Sequence, residues 1–352
     1  MNTFRGLQGM RFFFISLIFF SHIIPNFDFG GDSGVVFFFM LSGFVLSHAH
    51  ETRIANGNFS TTALIRRQLQ KIYPLYLTLL LLFVLLNMMT GMKNNYVIIL
   101  VDMLMLQSWF PNNGITFAMN GPAWFMSSIM FCYVIFFPAY RFVHSRRCWQ
   151  IVVAVIMMLT AYSVINVLIP DNMVNDIIYV NPVLRSVDFI IGILVYNLFK
   201  SKIGSAFTIF FSKKQYRPFL IETLLWLLFG MLLWCYMHTP TRIRCAALFW
   251  PFMAVAIFMV TLLERHSIGH TFTIKILSSR LLVSLGNLSM EIFLTQAIMI
   301  RIIDGIARQG NFQFADSPFI YIVDFALIII FAFLTNKTGS FLKTKIRSNK
   351  RI

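Results

Sequence analysis

Charge is the scarcest feature of this sequence. Only 12% of its 352 residues are Asp, Glu, Lys or Arg, and just thirteen are acidic. A soluble globular domain carries about 25% charged residues, so a water-soluble fold is excluded. Cysteine is scarce as well. Cys132, Cys148, Cys235 and Cys245 lie in or beside apolar segments with no metal-ligand spacing, so they read as small packing residues rather than a disulfide framework, and no metal is expected. Internal repeats, low-complexity linkers and a soluble domain are lacking too. No small-x-small site follows the first apolar segment, which therefore reads as a retained span and not a cleaved signal.

What the chain has is apolar mass: 58% hydrophobic residues, 40 of them Phe. Apolar segments lie near 10–26, 34–48, 72–90, 95–110, 122–140, 148–169, 183–199, 218–238, 244–263, 281–303 and 317–336. Several have the roughly 17–25 residues a helix needs to cross a bilayer. The expected fold is all-α, a polytopic membrane bundle. The net charge of +16 sits in short loops between segments, as the positive-inside rule requires. It forms no contiguous stripe of the kind nucleic acid selects, so no nucleic-acid partner is expected.

The basic residues also set the number of crossings. If all eleven segments crossed from a cytoplasmic N-terminus, the regions 139–147, 200–217, 264–280 and 337–352 would face outward. Those regions hold 3, 5, 3 and 6 Lys/Arg. One non-crossing segment before residue 139 returns them all to the cytoplasm, together with Arg53, Arg66, Arg67 and Lys71. Segment 95–110 is the candidate, because Asp102 stands at its middle and an acid at mid-bilayer costs about 2.5–3.5 kcal/mol. The expectation is about ten transmembrane helices and one re-entrant or interfacial helix at 95–110 on the outer side, with Asp102 near water and both termini cytoplasmic. Residues 1–340 form one transmembrane domain and 341–352 a basic cytoplasmic tail. The Lys/Arg-free loop 170–182 then lies outside.

In the first segment, MRFFFISLIFFSHI (10–23), the phenylalanines read as bilayer-facing filler. Arg11 and His22 do not. Eleven helical steps of about 100° return to within roughly 20° of the same face, about 16 Å along the axis. One stripe thus carries a fixed cation and an imidazole. Polar groups inside spans usually face a bundle interior and mark a functional path. The alternative is a snorkelling arginine and an interfacial histidine.

The Arg-x10-His stripe resembles the signature of the membrane-bound acyltransferase 3 family, and further motifs follow in that family's order. FFMLSG (38–43) is similar to its Phe-Phe-x-x-Ser-Gly motif, and RRQLQKIYPLYL (66–77) to its basic stretch before a Pro-Leu-Tyr span. GPAWFMSSIMFCYVIFFP (121–138) resembles its Trp-Phe-Leu-Ser span, NPVLRSVDFIIGIL (181–194) its Arg-x-x-Glu-Phe-x-x-Gly span, and LGNLSMEIFLTQ (285–296) its Leu-Gly-x-x-Ser segment. Two departures stand out. The family's Arg-x-x-Arg pair falls on Gln68 and Lys71, and a histidine frequent late in the chain is Gln296.

The resemblance implies a bacterial inner-membrane O-acyltransferase. It would move an acyl group, acetyl by expectation, from acyl-CoA on the cytoplasmic side to a sugar hydroxyl of an envelope polysaccharide such as the lipopolysaccharide O-antigen. The implied partners are acyl-CoA, a glycan or lipid-linked saccharide, and membrane lipids. Arginines suit phosphate groups, because a guanidinium pairs with them in a planar fork, so Arg11, Arg66, Arg67 and Lys71 are expected to hold the donor, with Ser42 lining the same site. His22, with an unperturbed pKa near 6.5, would activate the hydroxyl or carry the acyl group transiently. Trp124, Ser127 and Glu291 are candidates for the acceptor side, an interfacial anchor being the other reading of Trp124. Arg185 and Asp188, three residues apart on one helix face, are expected to neutralise each other. A transporter or flippase of a lipid-linked sugar is the competing class. A single histidine, cations gathered at one mouth and the lack of repeats weigh against it.

Overall fold

A computed structural model describes residues 4–24, 30–214, 216–239, 247–265, 271–309 and 318–349, and its regular elements are helices throughout. They are α1 (Arg5–Ile23), α2 (Gly31–Ala55), α3 (Thr61–Met89), α4 (Tyr96–Met103), α5 (Asn113–Thr116), α6 (Trp124–Ser145), α7 (Cys148–Leu168) and α8 (Pro182–Lys200). Then come α9 (Lys202–Ser212), α10 (Tyr216–His238), α11 (Trp250–Arg265), α12 (Phe272–Leu277), α13 (Arg280–Asn287), α14 (Ser289–Gln309) and α15 (Pro318–Asn349). Among the described residues nine helices are long and apolar enough to cross a membrane, or ten if the bent pair α13–α14 is one span. That is the expected ten. Helix α15 continues through residues 341–349, the segment read as a tail.

Segment 95–110 holds no helix long enough to cross a membrane. Only eight of its residues are helical in α4, and Gln107–Trp109 form a 3-10 turn. Asp102 departs from expectation: it is buried at 4% exposure, with Oδ2 lacking a partner. Tyr76 on α3 donates to its carbonyl at 2.7 Å, which pulls α4 inward against the bundle. With no charge near enough to compensate, burial pushes the Asp102 carboxyl up to about 7.

Helix α1 occupies the centre, touching α2, α11, α12, α13, α14 and α15. Its phenylalanines are therefore not lipid-facing filler. Phe14 and Phe19 are buried and stack on Phe37 (4.4 Å) and Phe325 (4.8 Å). The lipid-facing role falls to α7 and α10, whose Val152, Ile156, Leu224 and Leu227 are exposed. The start of α1 is pinned by Glu264 on α11, whose two carboxylate oxygens accept from the Arg5 and Gly6 amides at 2.5 and 2.8 Å. These amides are among the donors that a helix N-terminus leaves unpaired.

The span expected at 281–303 is broken at Leu288 by a bend of 61°. The break lets α13 lie directly on α1: a Cβ on Gly286 would fall on the Gln8 carbonyl, so only glycine permits that backbone contact. Helices α2 and α8 meet in the same way through Gly43 and Gly192.

Candidate active site

The broken span and the central helix border a partly open cavity of about 100 Å³. Helix α1 contributes Arg11 and Ile18, α2 Ser42 and Phe38, and α3 Gln68, Lys71 and Ile72. Helix α6 adds Phe125, Met126, Ile129 and Tyr133, and α14 adds Ser289, Met290 and Phe293. Each helix offers a stripe: 68, 71 and 72 on α3, or 126, 129 and 133 on α6, follow the i, i+3, i+4, i+7 rule.

Arg11 and Lys71 are the cations of this cavity, and Arg11 is the guanidinium. Its Nη1 donates to Gln8 Oε1 at 3.2 Å, and its Nε, shielded from solvent, has no hydrogen-bond partner. Arg11 is not among the residues of any ion pair described; Glu291 and Tyr133 act on it electrostatically. Glu291 Oε1 accepts from Asn336 Nδ2 at 2.7 Å while its Oε2 is unpartnered. A half-buried guanidinium with a shielded, unpartnered Nε suits an anion.

The other expected residues are distributed as follows. Lys71 and Ser42 line the cavity, Ser42 Oγ also donating to the Phe38 carbonyl at 2.7 Å. Arg66 and Arg67 are exposed on α3 and stand outside the cavity wall. His22 lies further along the same α1 stripe. Arg11, Ile18 and His22 are spaced i, i+7, i+11, and the cavity wall ends at Ile18, one turn short of the exposed His22. Trp124 is no interfacial anchor. It is buried at 4% exposure between Phe125 and Tyr179, with the Arg185 guanidinium 5.9 Å over its ring. Ser127 is buried beside it with an unpartnered Oγ. Neither lines the cavity.

Arg185 and Asp188 do pair, at 2.9 Å and both fully buried. Asp188 also accepts from Trp250 Nε1, and Arg185 Nε donates to the Tyr179 carbonyl. The charges are consumed within the bundle. Gln68, Tyr133 and Ser289 were not among the expected site residues. Gln68 was findable, being one turn before Lys71 on the same face. Tyr133 and Ser289 were not, since which helix faces meet cannot be read from periodicity alone. Cys132 and Cys235 are free thiols, Cys245 lies outside the described residues, and no group of three His, Cys, Asp or Glu among the described residues could hold a metal.

A helical membrane bundle with a cation-bearing cavity inside it defines the class. Residues 4–337 match the acyltransferase 3 family model, described as an acyltransferase domain, and the chain belongs to that family. It is also similar to Acyltransferase MdmB of Streptomyces mycarofaciens, with 31% identity over 166 residues. These cover 41% of this chain and 42% of that protein, so the match spans about two fifths of the relative. No solved structure matches.

Proposed function

We propose that the protein is an acyltransferase that takes an acyl group, acetyl in the simplest case, from acyl-CoA on the cytoplasmic side and delivers it to a sugar hydroxyl of an envelope polysaccharide such as O-antigen. Both termini are then cytoplasmic and the membrane is the bacterial inner membrane. The observation that carries the reading is Arg11: a guanidinium lining a cavity inside the bundle, with an unpartnered Nε, on the same helix face as a histidine about 16 Å away. Family membership supports the reaction type.

The residues fit the donor. Arg11 and Lys71 offer charge-assisted hydrogen bonds to phosphate oxygens, and the apolar wall from Ile72 through Ile18 suits the uncharged arm that follows them. His22 takes the proton of the acceptor hydroxyl. The oxygen attacks the thioester carbonyl, the carbon–sulfur bond breaks, and the imidazolium returns its proton to the departing thiolate. Ile18 stands between donor cavity and histidine, so the thioester end must pass it.

The test is acetyl transfer and free-thiol release by purified wild type and His22→Ala. Loss of transfer with retained CoA binding is expected. Full transfer by the variant sinks the catalytic role of His22, and no CoA binding by wild type favours a transporter.

A further inference from the structure

The long helix α7 is scarcely packed on the bundle. Among its described side chains only Tyr162 is buried, resting on Trp250 of α11 with ring centroids 4.9 Å apart. That anchor lies toward the end of α7 remote from α6. The half of α7 that follows the turn from α6 stands off its neighbours, and a partly open cavity of about 280 Å³, lined by apolar side chains throughout, separates it from α6 and α8. Ile151, Val155 and Met158 are spaced i, i+4, i+7, so one face of α7 borders the gap. Phe142 of α6 and Leu194 of α8 line it from the other helices.

All three helices have the length and hydropathy of membrane spans, so the surroundings of the gap are lipid. Side chains lining a void forfeit their dispersion contacts, and water does not fill an apolar cavity. A helix with its side chains is about 10–12 Å across, so two turns of one need more volume than the gap has. A hydrocarbon chain fits it.

The rim says which lipid carries that chain. The turn from α6 to α7 holds Arg146 and Arg147, both exposed, and the Arg146 guanidinium lies 5.5 Å over the ring of Phe142, a residue of the cavity wall. A cation therefore stands at the mouth. Trp149, 60% exposed beside it, belongs to the headgroup level at which tryptophan is enriched. No acidic residue occurs from Pro138 through Leu168, and neither arginine is in an ion pair described. Glu51, whose charge reaches His144 on α6, is already bonded by Tyr196 and Lys200 at 2.7 and 3.1 Å. A zwitterionic headgroup would bring its ammonium to a rim of arginines, whereas an anionic one meets only guanidinium, which pairs with phosphate in a planar fork. Basic pockets between transmembrane helices select anionic headgroups on this ground.

We infer that the gap between α6, α7 and α8 binds an anionic phospholipid, with one acyl chain along α7 and the phosphate on Arg146 and Arg147. The site is separate from the Arg11 cavity and does not depend on the acyltransfer reading.

The experiment offers the purified full chain, in neutral detergent, equal amounts of phosphatidylglycerol and phosphatidylcholine, and counts retained lipid by native mass spectrometry. Wild type is expected to keep one phosphatidylglycerol, preferred about fivefold, as an exposed ion pair allows. Arg146→Gln/Arg147→Gln should abolish the preference. Ala154→Phe, which puts a ring into the gap from α7, should lower retention of either lipid severalfold with a thermal midpoint unchanged or raised. A wild type that keeps neither lipid, or both equally, overturns the proposal, and so does wild-type retention in both variants. A midpoint lowered by several degrees in Ala154→Phe shows that the gap has no room for a chain and overturns it as well. A wild-type dimer that Ala154→Phe converts to monomer does the same, because a second copy of the chain would then cover this face.

Discussion

Replacing Asp188 by leucine removes the carboxylate that neutralises Arg185 in a fully buried site. Both side chains are fully buried and 2.9 Å apart, and the guanidinium also donates to the Tyr179 carbonyl, with the Tyr179 ring 4.6 Å and the Trp124 ring 5.9 Å away. Trp250 loses its acceptor in the same step. Breaking one side of a buried ion pair costs about 3–5 kcal/mol, whereas replacing both partners by apolar residues of similar volume is often close to neutral. Asp188→Leu is therefore expected to destabilise by about 3–5 kcal/mol, and the double variant Arg185→Met/Asp188→Leu to recover at least half of that loss. Thermal unfolding of detergent-purified protein reads it, at about 2–4 °C per kcal/mol for chains near this size, and the double-mutant cycle isolates the pair. A loss under about 1 kcal/mol for the single variant, or a double variant no better than the single, refutes the claim that this pair is a closed structural unit.

Two further outcomes follow from the same contacts. The folded chain keeps the Asp102 proton up to about pH 7, while an unfolded aspartate loses it near pH 3.9. Between those values the folded state binds more protons, so stability falls as pH rises, by up to about 4 kcal/mol across the window. Asp102→Asn should flatten that slope in urea titrations at pH 4 to 7, and an unchanged slope contradicts the burial of the carboxyl. Among the cations of α3, Lys71→Ala should weaken CoA binding severalfold in a salt-dependent manner, since an exposed ion pair contributes up to about 1 kcal/mol. Arg66→Ala and Arg67→Ala should leave binding within twofold, because both stand outside the cavity.

The span count was legible because it rests on local quantities: segment length, the placement of Lys and Arg, and one acid inside segment 95–110. Arg11 and His22 could be put on one face by the helical repeat alone, and Arg185 with Asp188 by their i, i+3 spacing. What escaped depends on neighbours far apart in sequence. The phenylalanines of α1 are core because six other helices pack on α1, which hydropathy does not register. The break at Leu288 serves the backbone contact of Gly286 with Gln8, nearly 280 residues earlier. Asp102 is buried because Tyr76 reaches its carbonyl, and Trp124 because Arg185 and Tyr179 cover it.

The central claim is that Arg11 holds the anionic part of an acyl donor inside the bundle. Calorimetric titration of coenzyme A into purified wild type and Arg11→Ala tests it most directly. A hydrogen bond to a charged group contributes about 1.5–3 kcal/mol, so the account predicts that Kd rises about 10- to 150-fold in the variant, with an unchanged thermal midpoint. Equal affinity in the two proteins would contradict it.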